Sequence, residues 1–65
     1  MLTVAERGVV LQTAVRAYTH YNSVAPGFSI SNALTYALEE HEEELVECSR
    51  EDESVLMKEL IQLIS

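Results

Sequence analysis

A small all-α domain is what this chain predicts, and three observations carry that expectation. Apolar residues recur every three or four positions in three successive segments, the spacing of one face of an α-helix. Glycine and proline occur only at Gly8, Pro26 and Gly27, so nothing breaks a helix in the last 38 residues. Two Ser/Thr residues, Thr3 and Ser49, are each followed three positions later by an acid, the spacing of a capping box. At 65 residues the chain is too short for a dinucleotide-binding fold and lies near the lower limit for one hydrophobic core.

The first helix is expected over residues 3–22. Thr3 and Glu6 can each satisfy an orphan amide of its first turn. Val4, Leu11, Ala14, Val15, Ala17, Tyr18 and Tyr21 then form the apolar set, with Gln12, Arg16 and Thr19 opposite. Gly8 costs about 1 kcal/mol relative to alanine inside a helix, and room for a crossing helix is the expected reason for it. Pro26-Gly27 marks a turn, because proline presets φ and glycine accepts positive φ. Phe28 should pack beneath it.

The second helix is expected over residues 30–48, capped by Ser29 or Ser31. Ile30, Ala33, Leu34, Ala37, Leu38, His41, Leu45 and Cys48 make the clearest stripe in the chain. Continuing it would place Asp52 on the apolar face, while Val55, Leu56, Leu60, Leu63 and Ile64 follow a register displaced by about one residue. A third helix over 50–64 is therefore expected, with one long helix carrying a stutter as the alternative. This third helix is apolar most of the way round, which calls for cover on two sides. A homodimer with Leu56, Leu60, Ile61, Leu63 and Ile64 in a two-fold interface would supply the second cover.

Charge is segregated. Nine of the eleven acids, Glu39, Glu40, Glu42, Glu43, Glu44, Glu47, Glu51, Asp52 and Glu53, share a 15-residue window with Arg50 as its single base. The formal net charge of −7 argues against direct nucleic-acid binding. On a continuous helix, Glu39, Glu43 and Glu47 would stack, as would Glu40 and Glu44, at a cost of a few tenths of a kcal/mol per pair. Glu39, Glu40, Glu43, Glu44 and Glu47 are accordingly the candidate surface for a protein partner with a basic patch. Residues four apart on a helix rise about 6 Å, against about 6.8 Å for two nucleotides of one strand, so such a ladder could imitate phosphates. The plainer reading is a solvated face that keeps the chain soluble.

Other chemistry finds little support. His41, Glu44 and Cys48 share a helical face, but seven residues span about 10.5 Å, too far for His41 and Cys48 to meet on one ion within a chain. One cysteine excludes an internal disulfide. No glycine-rich phosphate loop, nucleophile elbow or HExxH pattern is present. Tyr18, Tyr21, Phe28 and Tyr36 suit a core edge or an interface. The N-terminus carries charge where a signal peptide needs an apolar stretch, and the longest uncharged run is too polar to cross a membrane. The expectation is a cytoplasmic, non-catalytic regulatory adaptor or inhibitor with no cofactor and no metal. The alternative is a self-assembling structural oligomer.

Overall fold

Three capped helices make up the chain in its computed structural model, which describes residues 2–45 and 48–65. Helix α1 runs Val4–Val24, α2 runs Ile30–Glu40 and α3 runs Arg50–Ile64. Among the described residues there is no strand, and no helix is long and apolar enough to cross a membrane.

Each helix begins where an oxygen is available for an orphan amide. Thr3 Oγ1 accepts from the Glu6 amide at 3.1 Å, and the Thr3 amide donates to Glu6 Oε1 at 2.8 Å. Ser29 Oγ accepts from the Asn32 amide at 3.2 Å, which settles the choice between Ser29 and Ser31. Ser49 Oγ accepts from the Asp52 amide at 3.2 Å while the Ser49 amide donates to Asp52 Oδ2 at 3.1 Å. Helix α1 ends at Val24 because Pro26 disfavours helical geometry in the residue before it, and Ala25 is extended. The Phe28 amide donates to the Ala25 carbonyl at 2.9 Å and closes the turn.

The contacts give the topology. Tyr21 of α1 meets Phe28 and Tyr36, with ring centroids 5.3 and 5.7 Å apart, while Thr13 reaches His41. Rising numbers on α2 match falling numbers on α1, so these two form an antiparallel hairpin. Leu2 reaches Asp52 and Arg7 reaches Glu59, so α3 runs alongside α1 in the same sense. The result is an up-down-up bundle.

Its core joins Leu2, Val10 and Ala14 to Ala33, Leu34 and Ala37, and to Leu56 and Leu60. Val10, Leu56 and Leu60 are the largest fully buried side chains. Ala14 of α1 and Ala33 and Ala37 of α2 are fully buried in that core. Gly8 does not make room for a crossing helix, contrary to expectation: it is exposed, and a Cβ there would meet nothing within 4 Å. The small residues that are buried between the helices are these alanines.

The second helix also departs from expectation. It stops at Glu40, not at Cys48, and residues 41–44 form a turn. Carboxylates at Glu39, Glu40, Glu42, Glu43 and Glu44 would crowd the C-terminal end of any longer helix. There they oppose the partial negative charge of the macrodipole and repel one another at four-residue spacing. The backbone instead turns, with the Glu44 and Leu45 amides both donating to the His41 carbonyl, at 3.0 and 2.9 Å. Leu45 is thereby returned to the core edge. The separate α3 excludes the single long helix.

Candidate functional site: an acidic corner between two helix ends

The end of α2, the turn after it and the start of α3 form one acidic corner. Glu39 and Glu40 are exposed on the last turn of α2. Glu43 and Glu44, with Glu42, are exposed in the turn. Glu47 lies outside the described residues. Glu51 and Glu53 are exposed on the first turn of α3. Because α2 ends at Glu40, Glu39 and Glu43 do not continue one helical row. The regular spacing on which phosphate imitation rested is therefore not formed, and the acids instead fan out around a bend.

His41 fixes that bend to α1. Its Nδ1 lies 3.3 Å from Glu44 Oε2 and its Nε2 lies 2.8 Å from Thr13 Oγ1. An ionised carboxylate only accepts, so Nδ1–H donates to Glu44. In the neutral imidazole Nε2 then accepts from the Thr13 hydroxyl. The ring closes off the end of α2 and ties the turn to the middle of α1.

Asp52 fixes the other side, and its role was invisible in the sequence beyond the cap. It is buried, with 6 % of its surface exposed, alone among the charged residues described. Its carboxylate accepts from the Ser49 amide, from Ser49 Oγ at 2.9 Å and from the Leu2 amide at 3.2 Å, across 50 residues of sequence. The backbone hydrogen bond from Ser49, then that from Leu2, hold the carboxyl below its ordinary range, against a smaller opposing effect of burial. One carboxylate thus caps α3 and anchors the start of α1.

The metal reading finds no geometry. Among the described residues no three His, Cys, Asp or Glu side chains gather to hold an ion. His41 is engaged by Thr13 and Glu44, and Cys48 is half-buried beyond the turn, its thiol pushed up by burial and then by Glu53 and Asp52.

The expected dimer residues divide. Leu56 and Leu60 are fully buried against their own chain, so neither has surface to offer a second copy. Ile64 is half-buried. Ile61 and Leu63 are 44 % and 61 % exposed. Being two apart, they face away from each other. Val55, 39 % exposed, lies on the same side as Leu63, separated from it by two helical turns.

Compared with protein-family models, with curated proteins and with solved structures, the chain matches none, so no relative assigns a role to these residues.

Proposed function

We propose that this chain is a non-catalytic regulatory adaptor or inhibitor that binds a basic surface on a partner protein through its acidic corner. One observation carries the reading: Glu39 from a helix end, Glu42 from the turn and Glu53 from a helix start line one hollow, with further exposed acids fanned around the bend that His41 and Asp52 hold on either side. A positioned field of one sign speeds association and fixes register with an oppositely charged partner. Proteins that hold nucleic acid carry such basic surfaces and belong to the partner class. The homodimer is part of the same proposal, now resting on the exposed side of α3 around Val55 and Leu63, and the working compartment is the cytoplasm.

The test compares wild type with a Glu39→Lys, Glu43→Lys, Glu44→Lys variant as bait in a nuclease-treated lysate, eluting along a salt gradient. A stoichiometric basic protein held by wild type, released at moderate salt and missing from the variant is the expected result. The same proteins on both baits would refute the docking surface. For the dimer, sedimentation should show two copies for wild type and one for Leu63→Glu, with helicity unchanged. A monomeric wild type refutes it and leaves the acidic corner as the sole interaction surface.

A further inference from the structure

The acidic corner opens onto a groove between α2 and α3, and that groove has an apolar floor. Two adjoining hollows of about 420 and 500 Å³ share Thr35, Leu38 and Glu53. Leu34, Leu38 and Met57 supply the apolar surface of the first, and Glu39 and Glu42 flank the second. Ile61, exposed and one turn beyond Met57, continues the same face of α3 away from the acids. Arg50 is the one base on the groove and offsets one of its three carboxylates, leaving the rim net negative at the α2 C-terminal end.

We infer that this groove seats a basic amphipathic helix of a partner protein, with an apolar side chain between Leu38 and Met57 and lysine or arginine residues beside Glu39, Glu42 and Glu53. The inference rests on the docking reading above and sharpens it, since it specifies what the partner presents. Charge complementarity selects the occupant. An uncharged apolar segment would meet the floor but leave the Glu39, Glu42 and Glu53 carboxylates beside it without opposite charge. A second copy of this acidic chain would bring like charge to the same rim. A basic amphipathic helix satisfies both halves of the site: its leucine stripe enters the groove as an i, i+3, i+4 set and its flanking cations meet the carboxylates. The asymmetry also fixes orientation, because the acids lie at one end and Ile61 at the other.

The probe is a synthetic helical peptide of leucine and lysine, compared with one of equal charge in which alanine replaces each leucine so that helix propensity is kept. Binding is read by fluorescence anisotropy at near-physiological ionic strength, and the site by the methyl resonances of Leu34, Leu38 and Met57. The leucine peptide should bind about tenfold tighter, the effect of partly burying one or two leucine side chains, and should shift the Met57 methyl. Thr35→Trp, which crowds the mouth of both hollows while leaving every carboxylate in the chain, should bring the two affinities together, mainly by weakening the leucine peptide. Glu39→Lys with Glu42→Lys should weaken both peptides. Equal binding of both peptides by wild type would overturn the groove yet leave electrostatic docking standing. Binding of neither, with the acids intact, would overturn both. A Met57 methyl that moves with protein concentration alone would assign the groove to a second copy and refute the inference.

Discussion

The C-terminal end of α2 and the N-terminal end of α3 are built from the same residue type and behave oppositely. At the end of α2, Glu39 and Glu40 are followed by three more glutamates, and the helix stops. At the start of α3, Glu51, Asp52 and Glu53 occupy the first turn, and the helix begins. A helix carries about half a positive charge at its N-terminus and half a negative charge at its C-terminus. Carboxylates therefore favour one end and oppose the other. The lesson is that an acidic run acquires structural meaning only from the helix end it occupies. The 15-residue window from Glu39 to Glu53, nine of whose residues are acids, contains both a stop signal and a start signal.

Asp52 should give the largest effect, because there the start signal of α3 is also a tertiary tie. Asp52→Ala removes the acceptor for Ser49 and for Leu2 at once, loosening the α3 cap and the anchor of α1. Melting temperature should fall on the order of 10 °C, given a lost cap in a domain of this size. Loss no larger than for a cap-only change such as Ser49→Ala would show that the Leu2 link contributes nothing.

A second test uses pH on the same group. The folded carboxyl is held below its unfolded value, so its stabilising contribution is present above the ordinary aspartate range, around pH 4, and is lost as pH falls through the lower folded value. Wild type should therefore lose more stability than Asp52→Asn on acidification below about pH 4, and the two should run parallel above it. Urea midpoints across that range read the difference. Parallel curves throughout would mean that the Ser49 and Leu2 hydrogen bonds do not distinguish the two charge states.

Much of this fold was legible in the sequence, and the parts that were not share one cause. Both capping boxes, a serine cap at 29 or 31, the turn at Pro26-Gly27 and a separate third helix from Arg50 follow from local rules that need only a few neighbouring residues. The end of α2 was misplaced by eight residues because its apolar stripe continues through Leu45 to Cys48. Periodicity reports which side chains want burial, and not whether the backbone between them can bear the charge. Leu45 reaches the core edge from a turn nearly as well as from a helix. Gly8 was misread for a related reason, since crossing points depend on partners that no local window contains. The long-range contacts of the site, Leu2 with Asp52 and Thr13 with His41, had no local signal at all. The sequence shows that α3 has more apolar faces than one core can use, but that Met57 faces α2 across a groove depends on packing that no local window contains.

The finest test exchanges charge at both ends by the same amount. Glu43→Lys and Glu51→Lys each raise net charge by two and each relieve the same general repulsion within the acidic corner, so any global benefit is common to both. Their local effects have opposite signs. Lysine at 43 follows Glu39 by four residues, the favourable order for a helical ion pair, and puts a cation where the α2 dipole is negative. A gain of about 0.5–1 kcal/mol is expected, with circular dichroism showing helicity extended past Glu40. Lysine at 51 puts a cation on the first turn of α3, where the dipole is positive, and should cost about 0.5 kcal/mol with no gain in helicity. Two variants that move together would show that net repulsion, not helix polarity, decides where α2 stops. Two that diverge would show that the acidic corner bends where it does because one helix end rejects the charge that the next one takes up.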